Sequence, residues 1–279
     1  MVLMDSLDND IVIRFVSFLC SKDLVSLALS CRRFGSRNVD GLSLMEDTSL
    51  QIINNSQKEE RDALPKQVGQ TYIELHSELE QLRAPRIFDQ LIGNRLSYVN
   101  NDKSHIEFVN EGIPDIDMTA ICKHVMRAGK HYATFTKEGG ESLVRIGIIR
   151  PLPNWDEKGL TSFDPLDEGH FGWRDHGNNI KINYCSLMVG SRDFHYRGRC
   201  YWSNWLNSYK INNWVGREEF ENGDEIGTLL DLDVGTLCIY KNGRRLGILK
   251  DGLTGEYCWT ATLWSHGESV IIKKGIIPV

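Results

Sequence analysis

The sequence lacks a basic excess and any long apolar run. Lys and Arg number 32 against 38 Asp and Glu, which gives a formal net charge of −6. A chain with this charge is poorly suited to bind the phosphate backbone of a nucleic acid or an anionic membrane as its main partner. The apolar stretch at residues 11–20 is interrupted by Arg14 and is too short to span a bilayer. We therefore expect no nucleic-acid partner and no membrane partner.

Paired cysteines and a secretion signal are also missing. The seven cysteines are an odd number, and no two of them form a C-x-x-C pair. Several lie in apolar, strand-like runs, which predicts reduced and mostly buried thiols. Asp5, Asp8 and Asp10 precede the first apolar stretch, where a signal peptide would carry basic residues. These features predict a chain that is neither secreted nor membrane-inserted and that acts in the cytoplasm, the nucleus or both.

Motifs of catalysis and metal binding do not occur. The sequence has no G-x-x-x-x-G-K-[ST] loop, no G-x-S-x-G elbow and no H-E-x-x-H pair. Cys122 and His124 are two positions apart, and His170 and His176 are six apart. Neither spacing is typical of zinc ligands, which usually come as two close pairs. We expect no catalytic residue, no metal and no cofactor, and therefore a role in binding.

The first 55 residues have the pattern of a small helical module. Ser6 can cap a first helix and Ser21 can open a second. Ser43 and Glu46 have the spacing of a capping box, which predicts a third helix. The first helix is apolar on all sides, through Ile11, Val12, Ile13, Phe15, Val16, Phe18 and Leu19. In so small a module such a surface needs cover, either from a partner or from the chain's own β-domain.

Residues 56–103 are predicted to be a linker that contains one helix. The stretch 57–70 is polar and includes Pro65 and Gly69. From about 71 to 83, apolar residues recur at helical spacing, as Tyr72, Leu75, Leu79 and Leu82. This helix is interpreted as a spacer or a strut between two domains.

Residues 104–279 have the texture of an all-β domain. Short runs of alternating polarity are separated by glycine-containing turns, which predicts a β-sandwich. Asn242-Gly243 between two such runs predicts a type I′ hairpin, because both turn residues need positive φ. In the segment 231–235, Asp233 is expected to accept backbone hydrogen bonds while Gly235 takes a left-handed conformation. The chain is thus predicted to be a multidomain α + β protein.

Residues 7–34 resemble the F-box motif, a helical module that docks an SKP-type adaptor of cullin–RING ubiquitin ligases. The matching positions are Leu7, Asp10, Ile11, Leu19, Asp23, Leu24, Leu27, Cys31 and Phe34. Asp8 stands where the motif usually has proline. The resemblance implies an adaptor-binding surface made by Leu7, Ile11, Phe15, Phe18, Leu19, Leu24, Leu27 and Cys31.

Residues 223–274 resemble the core of a SPRY domain, with shorter matches at 128–132, 145–148 and 172–173. Ala133 stands where that family usually has tryptophan. The resemblance implies a bent sandwich of two antiparallel sheets that binds peptides or protein surfaces through loops at one end. It also implies that the domain has no catalytic residues.

Tryptophan and arginine in the predicted loops are candidate target contacts, because these residue types dominate interface hot spots. The candidates are Arg150, Trp155, Trp173, Arg174, Trp264 and His266. The alternative is that these rings cover the sandwich edge. Trp259 alternates with Tyr257 and Ala261 and is predicted to lie in the core instead.

Together the two resemblances imply a substrate-recognition subunit of an SCF-type ubiquitin ligase. The helical module would join an SKP-type adaptor and its cullin scaffold, and the sandwich would hold a protein or peptide target. Proximity to a charged ubiquitin carrier would then supply the rate enhancement, so the chain needs no nucleophile of its own. The alternative is a non-ligase SPRY scaffold whose N-terminal helices pack in cis.

Overall fold

The chain forms two compact units, Met1–Ala84 and Pro85–Val279. The computed structural model describes residues 8–37, 41–109, 117–140, 143–151, 162–165, 184–190, 200–204, 207–212, 214 and 216–278. Within these ranges, no helix is both long enough and apolar enough to cross a membrane. All seven cysteines are free thiols, and five of them are buried.

The first unit is helical. Its elements are α1 (Asn9–Val16), α2 (Ser21–Ser30), α3 (Arg32–Gly35), α4 (Leu44–Asn54), α5 (Lys58–Asp62) and α6 (Tyr72–Arg83). The predicted cap Ser6 lies outside the described residues, and Asp8 caps α1 by accepting the Asp10 N–H at 2.9 Å. The predicted capping box of Ser43 and Glu46 is confirmed at the start of α4.

The buried face of α1 packs into a core shared with the next three helices. Its members are Val12, Ile13, Val16, Leu24, Phe34, Leu44 and Met45. Val12, Ile13 and Val16 lie on one side of the helix, so the core takes only part of a helix that is apolar on all sides. The remaining apolar residues of α1 face away from this core.

Helix α6 was predicted within a linker, and the structure places it inside the first unit. Leu75 and Leu79 are buried against Ile53 of α4. Glu80 accepts the Ser21 N–H at 3.1 Å and the Ser21 Oγ–H at 2.6 Å, which satisfies one of the free amides at the N-terminus of α2. The linker boundaries at 56 and 103 therefore differ from the structure, because the partners of this leucine stripe become known only in the folded unit.

The second unit is a sandwich of two antiparallel sheets. Its strands are β1 (Gln90–Ile92), β2 (Leu96–Tyr98), β3 (His105–Phe108), β4 (Met118–Ile121), β5 (Lys130–Gly139), β6 (Val144–Ile149), β7 (Tyr184–Val189), β8 (Cys200–Asn204), β9 (Asn207–Asn212), β10 (Glu225–Asp231), β11 (Thr236–Lys241), β12 (Arg244–Lys250), β13 (Cys258–Leu263) and β14 (Glu268–Lys274). One sheet has the order β1-β4-β13-β6-β7-β8-β9. The other has the order β12-β11-β10-β5-β14-β3-β2.

The two inner faces enclose one large apolar core. Trp259 of β13 is fully buried and meets Phe135 of β5 edge to face, with ring centroids 6.1 Å apart. The prediction that Trp259 belongs to the core is confirmed, as is a sandwich of antiparallel strands. Strands β1 and β2 come from the segment taken as a linker, and β4 and β7 were not predicted as strands. Strands β8 and β9 were not predicted as strands either.

Two turn predictions are confirmed. Asn242 and Gly243 join β11 to β12 with φ values of 50° and 78°. Asp233 accepts the Gly129 N–H at 3.0 Å, and Gly235 has a φ of 71°. Local sequence determines both turns because positive φ is restricted to few residue types.

Candidate functional site

An exposed apolar stripe runs along α1 and into the turn after it, on the side away from the helical core. Ile11, Phe15 and Phe18 follow one another at intervals of four and three residues, and their side chains are 43%, 68% and 89% exposed. We call these three residues the α1 stripe. Large apolar side chains at such exposure mark a surface that a partner can cover.

The other residues predicted to bind an adaptor are less accessible. Leu24 is fully buried in the helical core, so its side chain is not available to a partner; this corrects its assignment as a contact. Leu19, Leu27 and Cys31 are partly buried and pack against the same core. Leu7 lies outside the described residues.

Two exposed apolar residues of α2 were not among the predicted contacts. Val25 is 42% exposed and Leu29 is 84% exposed. Their spacing of four residues places them on one side of α2. That spacing was visible in the sequence, but which side of α2 faces the core was not.

Two of the described target candidates lie at opposite ends of the sandwich. Ile149 pairs with Cys258, and Arg145 pairs with Thr262. Arg150 follows the first pair, whereas Trp264 lies beyond the second, six residues from Cys258 and so roughly 20 Å away along β13. Trp155, Trp173 and Arg174 lie outside the described residues.

Arg150 organises a turn in its own domain. Its guanidinium donates to the carbonyl oxygens of Thr254 and Glu256, the latter at 3.1 Å. It also stacks over the ring of Tyr257, 4.5 Å from the centroid. These contacts occupy the head group, so Arg150 is better explained as a structural residue than as a target contact.

The Trp264 loop, residues 264–267, joins β13 to β14 and presents the remaining candidates. The Trp264 side chain is 42% exposed, and His266 is exposed as well. The loop's main chain is fixed by Glu268, which is fully buried. The Glu268 Oε2 accepts the N–H of Trp264 at 3.0 Å and that of Ser265 at 3.1 Å.

A buried lysine organises the loops beside the Trp264 loop. Lys137 is 2% exposed, and its Nζ donates to the carbonyls of Gly139 at 2.7 Å and Gly140 at 2.9 Å. A third bond, at 2.9 Å, reaches Asn222 Oδ1. Burial lowers the pKa of Lys137, and the negative charge of Glu268 opposes that shift. We call residues 139–140, 221–224 and 264–268 the three-loop frame.

A charged cluster lies at the same end of the sheet. Met118 pairs with Leu263, so Asp117 and Trp264 are the next residues on the two strands. Arg145 contacts Asp117 and also Asp164, the latter at 3.0 Å. Burial raises the pKa of Asp117 to about 7; Arg145 opposes this shift and Asp164 reinforces it. The cluster therefore holds a carboxyl group that can titrate near neutral pH.

A buried histidine, His131, and a partly buried one, His124, lie near the other end of the sandwich. The ring centroids of His124 and His131 are 5.8 Å apart. Burial lowers the pKa of His124 to about 3 and that of His131 to about 4. Both imidazoles are therefore neutral at physiological pH and poorly matched to proton transfer there. Among the described residues, no three His, Cys, Asp or Glu side chains converge as metal ligands.

No protein-family profile matches this sequence, and no curated protein gives a significant match. Among solved structures, the SPRY domain of human HERC1 is 14% identical, with a TM-score of 0.44, over 68% of this chain and 97% of that chain. The TRIM65 PSpry domain is 15% identical, with a TM-score of 0.40, over 69% and 96%. A human SPRY domain is 13% identical, with a TM-score of 0.42, over 67% and 99%. The likeness lies in the two-sheet architecture of the second unit.

Proposed function

We propose that this chain is the substrate-recognition subunit of an SCF-type cullin–RING ubiquitin ligase. The helical unit docks an SKP-type adaptor, and the SPRY-like sandwich binds a protein or peptide target through the Trp264 loop. The chain acts in the cytoplasm or the nucleus as an adaptor without catalysis of its own. The observation that carries the proposal is the α1 stripe, in the segment that resembles an F-box.

The α1 stripe supports docking because the helical core is already complete without it. Val12, Ile13 and Val16 fill the core side of α1, while Phe15 and Phe18 stay mostly in solvent. Burying a large apolar side chain contributes about 1.5–3 kcal/mol. Ile11 and Phe15 on α1, with Phe18 in the turn that follows it, give a partner a compact apolar anchor of the kind that helix-in-groove recognition uses.

The Trp264 loop supports target binding at one end of the sandwich. It combines an exposed tryptophan with a main chain that Glu268 holds in place. Tryptophan supplies a large contact area at a small entropic cost, and it is enriched among residues that dominate interface energies. Arg150, at the other end of β13, does not take part.

The test of docking is direct binding of the full chain to a purified SKP-type adaptor, measured by calorimetry. We expect Phe15→Asp to weaken binding at least a hundredfold, since it places a charge inside an apolar contact. Val68→Asp is the matched control, because Val68 is a fully exposed apolar residue of the same unit and lies outside α1. It should bind as the parent does.

Circular dichroism of each variant checks that the helices remain folded. If Phe15→Asp binds the adaptor with the same affinity as the parent, the α1 stripe is not part of the interface. No binding by the folded parent would refute the ligase role, and would favour the alternative of a SPRY-like interaction scaffold outside any ligase.

A further inference from the structure

We propose that Lys137 and Glu268 are positioning residues, which hold Trp264 and the two neighbouring loops in a single conformation for contact with a target. The inference rests on the target-binding half of the proposed function. It adds two residues that neither resemblance suggested, and it makes the three-loop frame one composite surface.

Glu268 fixes the main chain of the Trp264 loop directly. A fully buried carboxylate is unfavourable unless hydrogen bonds compensate for its lost hydration. One oxygen of Glu268 accepts two successive amides, from Trp264 and Ser265, and charge-assisted bonds of this kind are the stronger ones. The two bonds orient the peptide unit that carries the exposed indole.

Lys137 fixes the other two loops of the frame from below. The three hydrogen bonds of its Nζ end on the carbonyl of Gly139, the last residue of β5, on the carbonyl of Gly140 and on Asn222 Oδ1. Its own carbonyl accepts the Gly223 N–H at 3.0 Å, which ties the 221–224 turn to β5 a second time. Lys137 therefore acts on this turn through both its side chain and its main chain.

The loops also meet one another through glycine. Gly139 has a φ of 64°, and a Cβ there would lie 2.2 Å from the carbonyl oxygen of Gly267. A Cβ on Gly140 would come within 2.9 Å of the Glu268 Cγ. This close packing lets a displacement of the 139–140 turn reach the Trp264 loop, although Lys137 makes no hydrogen bond to it.

A surface fixed in this way is pre-organised. The indole of Trp264 is exposed, but the peptide that carries it does not have to be ordered when a target arrives. Binding then loses less conformational entropy, which is the general benefit of pre-organisation. A target would contact the indole together with the 139–140 and 221–224 turns.

Amide hydrogen exchange in the full chain tests Glu268. In Glu268→Ala, the amides of Trp264 and Ser265 should exchange at least tenfold faster than in the parent. Glu268→Gln keeps an acceptor oxygen and should restore most of the protection. The control is the Leu253 amide, which donates to Gly235 at 2.9 Å at the other end of the sandwich and should not change.

Lys137→Met tests the coupling between the loops. It removes the three donors but keeps an apolar side chain of similar length, and it should speed exchange at Trp264 and Ser265. Combined with Glu268→Ala, its effect should be less than additive, because the two residues support the same loop. The positioning role would be overturned if the amide exchange rates of Trp264 and Ser265 were the same in Lys137→Met as in the parent. It would also be overturned if exchange at Leu253 became faster by the same factor. If the adaptor binds Phe15→Asp as tightly as the parent, docking through the α1 stripe is refuted, but the exchange rates expected here do not change.

Discussion

Replacing Asp117 with asparagine should remove a pH dependence from the stability of the sandwich. Asp117 and Asp164 both contact Arg145, and Asp117 is largely buried. One guanidinium faces two carboxyl groups, so a proton on Asp117 relieves their repulsion and avoids a buried charge. An asparagine has similar shape and stays neutral at every pH.

The sign and size follow from the two pKa values of Asp117. Its pKa is about 7 in the folded chain, against an ordinary value of 3.8. A raised pKa stabilises the fold fully below the ordinary value, and this contribution is lost as pH rises through the folded value. The two pKa values differ by about three, and each pKa unit corresponds to roughly 1.4 kcal/mol, so the upper limit of the change in unfolding free energy is about 4 kcal/mol. The Asp117 side chain is 25% exposed. Solvent screening therefore reduces the expected change to about 2–3 kcal/mol.

The assay is urea unfolding followed by tryptophan fluorescence, over a pH range from just above the ordinary carboxyl pKa to mildly basic. The free energy of unfolding of the parent, minus that of Asp117→Asn, should fall with rising pH and level off above neutrality. Asp102→Asn is the control, since hydrogen bonds from Ser104 lower the pKa of that exposed carboxyl, and its titration lies below the range. Parallel curves for the parent and Asp117→Asn would refute the reasoning.

Two further substitutions test local contacts. Glu80→Ala removes the hydrogen bonds from Ser21 and the negative charge at the start of α2, so the helical unit should lose about 2–3 kcal/mol in thermal unfolding followed by circular dichroism. Glu80→Gln keeps an acceptor oxygen but loses the charge, and it should cost about half of that; no loss in Glu80→Gln would show that the charge does not matter. Asn242→Ala places alanine at a φ of 50° and removes the bond to the Glu225 N–H, which should cost about 1–2 kcal/mol by urea unfolding. Asn242→Gly should cost less, because glycine tolerates that φ.

Local patterns in the sequence were sufficient for many elements of this fold. The capping box at Ser43, the helix at Tyr72–Arg83 and the hairpin at Asn242-Gly243 all form as expected. Each depends on residues close together in the chain, whose preferences do not need distant partners. The short strands β1 and β2 escaped prediction because three residues give too little periodicity for a pattern to emerge.

The candidate site was predictable only in part. Exposure of Phe15 and Phe18 agrees with a helix that has more apolar residues than one core can take. The same pattern gave no means of separating Leu24, which is buried, from Leu29, which is exposed. The side of a helix that faces the core depends on how the neighbouring helices pack against it, and the local sequence does not determine that packing.

Local sequence was enough to place the starts of α4 and α6, the tight turns and many of the residues that alternate along the strands, because these depend on backbone preferences of a few adjacent residues. Only the tertiary structure decided that Arg150 and Trp264 lie at opposite ends of β13, and that Lys137 and Glu268 are buried beneath the same loops. Those relations join residues more than a hundred positions apart in the chain. They arise from strand register, which places each side chain at one end and on one face of a sheet.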